Sequence, residues 1–160
     1  GVIAQQEWQQ AVKLEFKTDF EVGLTYTDTD LYLVFYHVKD ARGIRNNAEV
    51  MLQTATTATE WNDETFWFHT SYANCSAQGQ FFFWENCAPN PTDWESNKFP
   101  LDPKHNVLEF RISFKKLGIK PTAGTTIKLS CKYSDPKETH HYWPQDAKID
   151  DPKTWGTVQF

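Results

Sequence analysis

Alternation of apolar and polar residues is clearest in the stretch Val107-Leu108-Glu109-Phe110-Arg111-Ile112-Ser113-Phe114. Apolar side chains at every second position lie on one face of a β-strand, so this stretch predicts a strand with one face towards a core. Phe114-Lys115-Lys116-Leu117 follows it and precedes Gly118. We therefore expect the strand to end in a single helical turn that stops at the glycine.

The same period of two recurs along most of the chain. Alternating segments occupy residues 12–16, 20–26, 50–54, 66–71 and 127–133. The stretch Leu31–Val38 is apolar on both faces, which is typical of a central strand. Many short strands joined by polar turns, with almost no helical signal, predict an all-β, antiparallel β-sandwich formed by residues 1–160 as a single domain.

A long excursion interrupts this pattern. Residues 73–106 are rich in aromatic residues, proline and asparagine, and we predict that they form an irregular insertion in the sandwich. Loops of this length in a compact domain are usually functional or disordered. The aromatic run Phe81-Phe82-Phe83-Trp84 favours a packed segment over a disordered one.

Composition excludes several classes of protein. The chain has 160 residues, 16 Lys+Arg and 21 Asp+Glu, and a formal net charge of −5. Nucleic-acid binding usually needs a basic patch, and none is visible. The longest apolar run is too short to span a bilayer. The content of 7 Trp, 12 Phe and 6 Tyr also argues against disorder. The oligomeric state is not specified by these features.

Three cysteines occur, at positions 75, 87 and 131. Cys131 falls on the apolar side of its alternating segment and is interpreted as a small buried residue. A disulfide between Cys75 and Cys87 would close a loop of about a dozen residues, worth about 3 kcal/mol. We predict this bond. Because disulfides persist in oxidising compartments, we also predict a secreted, periplasmic or cell-surface protein from which the signal segment has been removed. A zinc site is the alternative, although neither CxxC nor a zinc-finger spacing of Cys and His is present.

Motifs for nucleophilic and metal-dependent catalysis are absent, among them GxSxG, SxxK, HExxH and the Walker A sequence. We therefore expect no enzymatic activity, and at most a non-catalytic module associated with glycoside hydrolysis. Paired acids occur at Asp28/Asp30, Asp63/Glu64 and Asp150/Asp151. We interpret these acids as parts of solvated turns, with calcium as the alternative, and we expect no other cofactor.

The surplus of aromatic residues is the most informative feature. Flat rings stack on the C–H faces of sugars, while neighbouring amides and carboxylates hydrogen-bond the hydroxyl groups. Segments 61–67, 83–86 and 94–97 each combine rings with such polar groups. The candidate ligand-binding residues are Trp61, Asp63, Trp67, His69, Trp84, Glu85, Trp94 and Trp143. The alternative is that these rings are core or loop anchors.

Short segments at both ends of the chain carry a family resemblance. These are Glu7-Trp8-Gln9-Gln10-Ala11, Asp30–Phe35, Asn47–Leu52, Trp143-Pro144 and Asp151–Val158. Their order resembles the family 9 carbohydrate-binding modules and their DOMON-like relatives. The resemblance implies a β-sandwich that often binds the end of a glycan between two tryptophans, usually beside bound calcium.

By rough matching, those two ring positions fall near Ile44 or Arg45 and near Ile149, none of which is aromatic. The resemblance therefore implies the fold but not the tryptophan clamp, and the rings would come from Trp61, Trp67 and Trp84.

These observations favour a non-catalytic domain that binds a glycan or polysaccharide. The first alternative is a cell-surface interaction or structural domain without a sugar site. The second is a DOMON-like haem or redox domain, with Met51 and either His37 or His69 as the conceivable axial ligands.

Overall fold

The computed structural model describes residues 8, 11–16, 21–39, 47–70, 74–79, 87–88, 93–100, 105–135, 137 and 139–160. Its strands are β1 (Val12–Glu15), β2 (Glu21–Tyr26), β3 (Asp30–Lys39), β4 (Asn47–Gln53), β5 (Thr65–Thr70), β6 (Asn74–Gln78), β7 (Cys87–Ala88), β8 (Trp94–Pro100), β9 (His105–Ser113), β10 (Thr126–Ser134), β11 (His140–Trp143) and β12 (Gly156–Gln159). A helical turn, α1 (Phe114–Leu117), and a 3₁₀ turn, Pro152–Thr154, complete the described elements. In this part of the chain, no helix is long and apolar enough to cross a membrane.

The described strands form two antiparallel sheets. Five of them make sheet A, in the order β1-β2-β3-β9-β8, and seven make sheet B, in the order β11-β10-β4-β5-β6-β7 with β12 also paired to β10. The strand β3 is central in sheet A, as the apolar pattern of Leu31–Val38 predicts. Every strand pairing is antiparallel, so the predicted fold class is confirmed.

The main core lies between the inner faces of the two sheets. One buried cluster joins alternate residues of sheet A, such as Leu33 and Phe110, to alternate residues of sheet B, such as Val50 and Leu129. The indole of Trp94 on β8 crosses between the layers, with its ring 5.2 Å from Phe68 of sheet B and 6.3 Å from Phe110 of sheet A. Such offset and edge-on ring pairs add to the energy of apolar burial.

Two local predictions are confirmed. The helical turn spans Phe114–Leu117, is capped at its start by the Ser113 hydroxyl, and ends at Gly118 in the left-handed region, with φ of 69°. Cys131 is a fully buried free cysteine. Burial without a partner raises the pKa of its thiol, so it stays protonated at neutral pH.

The insertion predicted for residues 73–106 needs a correction. Within that range the chain forms β6, β7 and β8 and begins β9, so much of it belongs to the two sheets. Edge strand β8 pairs with β9 over seven residues, from Trp94 to Pro100. Pro100 stands at the end of this edge strand, where a missing backbone N–H removes little from the ladder. Residues 80–86, 89–92 and 101–104 lie outside the described residues.

Candidate functional site

The outer face of sheet B, which points away from the main core, carries an unusual share of buried polar side chains. On β4, Ala48, Val50 and Leu52 face the main core, so Glu49, Met51 and Gln53 face outwards. All three outward residues are nevertheless buried. The alternation that directs apolar side chains into the main core therefore also places a second set of buried side chains on the outer face of sheet B.

Five outward residues stand directly opposite one another on neighbouring strands. We call this set the outer row, and it consists of Tyr142, Lys132, Glu49, His69 and Cys75 on β11, β10, β4, β5 and β6. Side chains that are directly opposite in an antiparallel sheet lie within contact distance of each other. The outer row thus places a cation, an anion and an imidazole side by side.

Glu49 is the centre of the polar contacts. Nζ of Lys132 donates to its Oε1 at 2.7 Å, and Nε1 of Trp67 donates to its Oε2 at 2.8 Å. Glu49 is 5% exposed and the side chain of Lys132 is 15% exposed. Charged groups buried this far are retained only when they are paired and hydrogen-bonded, because their desolvation costs several kcal/mol per ion, roughly.

His69 lies beside this pair. Its ring stacks on the indole of Trp67, with centroids 5.2 Å apart and planes inclined by 14°. Burial lowers the pKa of His69, and the ammonium of Lys132 adds to the effect, while the carboxylate of Glu49 opposes it. The imidazole is therefore neutral at pH 7, and a neutral imidazole offers one hydrogen-bond donor and one acceptor.

Buried polar atoms without a hydrogen-bond partner also occur on this face. Among the described residues, Oδ1 of Asn47, Oε1 of Gln53 and Oγ of Ser130 have none, and all three side chains point to the outer side of sheet B. Ser130 is fully buried and lies two residues before Lys132 on β10. An unpaired buried polar atom costs about 1–3 kcal/mol, so such atoms call for water or a ligand hydroxyl group.

Two indoles enclose one end of the outer face. Met51, Trp67 and Ala77 of the sheet pack with Trp155 in a second apolar cluster, and Trp61 packs against it. The rings of Trp61 and Trp155 meet edge to face, with centroids 5.8 Å apart. Nε1 of Trp155 donates to the carbonyl oxygen of Lys148 at 2.8 Å, which ties the segment after β11 over the sheet.

The structure brings together three of the residues predicted from the sequence. Trp61, Trp67 and His69 all belong to the outer face of sheet B or its edge, and their role in ligand binding stays a prediction. Asp63 lies in the exposed turn before β5, where its carbonyl oxygen accepts a hydrogen bond from Gln78. The sequence interpretation did not single out Glu49, Ser130, Lys132 and Tyr142.

Two predicted residues lie elsewhere. The ring of Trp94 lies in the main core between Phe68 and Phe110, so it is an anchor between the sheets and does not belong to the outer face of sheet B. Trp143 packs against the main core and lines a groove at the edge of the sandwich. Trp84 and Glu85 lie outside the described residues.

Most of the described tryptophan rings are buried, as in the alternative that such rings are core or loop anchors. Four are buried, namely Trp8, Trp67, Trp94 and Trp155. Trp61 and Trp143 are half-buried. These six tryptophans therefore form no broad exposed platform on which a sugar could stack. The rings on the outer face of sheet B act mainly as walls and as hydrogen-bond donors.

The predicted disulfide falls on paired strands. The backbone register places Cys75 of β6 directly opposite Cys87 of β7. Such cross-strand partners have Cα atoms about 4.5–5.5 Å apart, within the range that a disulfide can span. The side chain of Cys87 lies outside the described residues, so the bond stays a prediction.

A calcium site or a haem site, the two alternatives from the sequence, would need ligating side chains grouped together. Among the described residues, no three or more His, Cys, Asp or Glu side chains are grouped to hold a metal ion. Of the paired acids, Asp30 binds Arg111 at 3.1 Å, and Asp151 accepts a hydrogen bond from the backbone N–H of Lys153. Calcium at these turns stays an alternative prediction.

The fit to a haem is poor. Met51 and His69 lie on the same face of neighbouring strands, but Met51 is fully buried in the second apolar cluster and the indole of Trp67 covers the ring of His69. The side chain of His37 is not among those described.

Comparison with known proteins identifies the fold. A carbohydrate binding module family 9 (CBM9) from Caldicellulosiruptor kristjanssonii, solved in complex with cellotriose, matches with a TM-score of 0.69 and 13% sequence identity. The match covers 98% of this chain and 86% of the other. No protein-family model matches the sequence, and no curated protein matches it. The chain thus has a CBM9-like β-sandwich fold, as its sequence resemblance implies.

Proposed function

We propose that this CBM9-like domain is a non-catalytic glycan-binding domain, and that the glycan binds on the outer face of sheet B at the outer row. One observation carries the proposal: buried polar atoms with unmet hydrogen bonds, a buried ion pair and indole walls concentrate on this one outward face. A face that needed only to be stable would be covered by apolar side chains, since a buried ion pair is often no more stabilising than a hydrophobic replacement.

The hydrogen-bonding groups suit a ligand rich in hydroxyl groups. The ammonium of Lys132 has three N–H donors and gives one of them to Glu49. Oγ of Ser130 both donates and accepts, and Oε1 of Gln53 accepts. Each hydroxyl group of a sugar can donate to one such atom and accept from another, which would satisfy atoms that otherwise pay a desolvation cost.

The comparison supports the same chemistry. The similar structure is that of a carbohydrate-binding module with a bound oligosaccharide. At 13% identity the likeness extends to the fold, so the ligand and its location in this chain rest on the outer-face groups themselves. The predicted Cys75–Cys87 disulfide supports a secreted, periplasmic or cell-surface setting, where polysaccharides are met.

The sharpest test uses the unpaired hydroxyl of Ser130. Because that hydroxyl has no partner among the described residues, S130A is expected to leave the free energy of unfolding unchanged or raised. It should also weaken glycan binding about 3- to 10-fold, the worth of one neutral hydrogen bond. Calorimetric titration with cello-, xylo- and manno-oligosaccharides measures the affinity, and urea denaturation measures the stability.

The chain supplies controls on sheet A. Oγ of Ser96 is likewise buried without a partner among the described residues, and the half-exposed carboxylate of Glu95 accepts a hydrogen bond from Nε of Arg111 at 2.9 Å. S96A and E95Q should bind glycan with the affinity of the unmodified protein, whereas S130A and E49Q should bind it more weakly. The proposal would be overturned if the unmodified protein bound none of these glycans, or if all four variants bound them with equal affinity.

A further inference from the structure

Strand β1 is a free edge of sheet A. It pairs with β2 on one side, and none of the described strands pairs with it on the other. Backbone N–H and C=O groups of β1 therefore point away from the sheet, where another strand can pair with them. Val12 is 62% exposed and the side chain of Lys13 is 73% exposed, so this edge is open to solvent.

The opposite edge of sheet A is protected against strand addition, whereas β1 is not. On β8, Lys98 occupies a core-facing position and Pro100 has no backbone N–H to donate. Inward-facing charges and prolines are means by which edge strands avoid pairing with other chains. The core-facing positions of β1 and the residue after it carry only apolar side chains, those of Val12, Leu14 and Phe16.

The sequence of β1 is complementary to a second copy of itself. An antiparallel pair centred on Leu14 places Lys13 of each copy opposite Glu15 of the other, and Val12 of each opposite Phe16 of the other. Residues that are directly opposite share a face, so two opposite-charge pairs form on the outer face and the apolar side chains meet on the core-facing side. Such reciprocal contacts are what a twofold interface requires.

Other registers of the same pair are unfavourable. A shift by one residue would turn the apolar side chains of the added strand towards solvent. A shift by two would place Lys13 opposite Lys13 or Glu15 opposite Glu15, and like charges that stand directly opposite destabilise a strand pair. Lys13 lies 3.5 Å from Glu21 of its own chain, but this exposed pair is weak, so its ammonium remains available to a second copy.

We propose that β1 pairs with β1 of a second copy of this chain in the register centred on Leu14, so that sheet A continues from one copy into the other. The core-facing sides of the two sheets then coincide, and sheet B of each copy lies on the same side of the shared sheet. The outer faces of both sheets B therefore point in the same direction.

The dimer gives the glycan site a second copy, a consequence that rests on the proposed function. Two sites that point the same way can hold one polysaccharide surface together. Once the first site is occupied, the second binding event becomes intramolecular, which raises the apparent affinity for an extended polysaccharide without any new contact. A soluble oligosaccharide that fills one site gains nothing from the dimer.

Charge reversal tests the register. Sedimentation velocity from about 10 µM to about 1 mM measures dimerisation, since an interface built from one short strand gives a weak complex. K13E and E15K each place like charges opposite one another and should weaken dimerisation about 10-fold or more. The double variant K13E/E15K restores both opposite-charge pairs and should dimerise as the unmodified protein does. An equimolar mixture of K13E with E15K should form a heterodimer for the same reason.

Two substitutions away from β1 serve as matched controls. K120E and E60K make the same changes of charge at exposed positions, and both should dimerise with the affinity of the unmodified protein. An unmodified protein that stays monomeric over the whole concentration range would overturn the proposal. A double variant that dimerises as weakly as the single variants would overturn it as well.

Glycan binding is measured separately, so that the two proposals can fail independently. K13E should leave the affinity for soluble cellotriose unchanged, reduce retention on insoluble cellulose about 10-fold, and recover that retention when E15K is added. A dimer that obeys the charge reversals but binds no glycan would confirm the strand pairing and overturn the proposed function alone. Equal retention of K13E and the unmodified protein would exclude binding by both sites of the dimer at once.

Discussion

The indole N–H of Trp67 and the carboxylate of Glu49 form a 2.8 Å hydrogen bond on the outer face of sheet B, and both side chains are buried. A hydrogen bond to a charged group is worth more than a neutral one, about 1.5–3 kcal/mol, since a buried carboxylate tolerates the loss of a donor poorly. W67F removes this donor but keeps an aromatic ring. We expect it to lower the free energy of unfolding by at least that amount in urea denaturation.

A matched control is available at Trp155, whose indole N–H donates to a neutral carbonyl oxygen at the same distance of 2.8 Å. W155F deletes the same atoms from another buried ring, but the hydrogen bond lost is worth only about 0.5–1.5 kcal/mol. The difference between the two variants isolates the charge of Glu49. Equal losses of stability in W67F and W155F would contradict this account.

The stability of the protein should depend on pH through His69. Burial lowers the pKa of His69 from its ordinary value of 6.5. The unfolded chain therefore takes up this proton at a higher pH than the folded chain does, and the free energy of unfolding falls as the pH drops below about 6.5. The decrease ends below the folded-state pKa, where both states are protonated.

Urea denaturation between pH 7.5 and 5 measures this dependence, with H69Q as the comparison. Glu49 opposes the shift and Lys132 reinforces it, so both charges stay in place in that variant. H69Q should lose stability less steeply than the unmodified protein over this range. Parallel stability curves for the two proteins would show that His69 does not contribute.

The sheets could be predicted from the sequence because alternation is a local property. The segment from Asn47 to Gln53 already separates Val50 and Leu52 from Glu49 and Met51, and the structure places them on opposite faces as expected. The same local pattern does not reveal which distant strand lies alongside. Glu49 and Lys132 are 83 residues apart, and only the pairing of β4 with β10 joins them.

The misplaced prediction at Trp94 has a related cause. A tryptophan followed by Glu95, Ser96 and Asn97 has the same composition whether its ring faces a ligand or the core. The direction of the ring depends on which face of β8 meets sheet B, and that is set by the pairing of β8 with β9. Composition therefore identifies segments that combine aromatic and polar groups, but not which of these groups share a surface.

Thiol counting tests the predicted disulfide. Burial raises the pKa of the Cys131 thiol, so in the native protein it should resist alkylation at neutral pH. Unfolding in urea without a reductant should expose one reactive thiol, and unfolding with a reductant should expose three. Mass spectrometry after treatment with iodoacetamide gives both counts, and three thiols without a reductant would exclude a bond between Cys75 and Cys87.

Gly156 leaves room for the Trp143 ring, which packs against the main core. A Cβ atom at position 156 would lie 2.5 Å from one indole carbon and 2.8 Å from another, so G156A must displace the ring or the strand β12. Overpacking of this kind costs about 1–3 kcal/mol, and we expect that loss in urea denaturation together with a shift of tryptophan fluorescence. T157A, at the exposed neighbouring position on β12, controls for the change of strand propensity and should leave both readouts nearly unchanged. If G156A is as stable as T157A, the ring does not rest on the glycine.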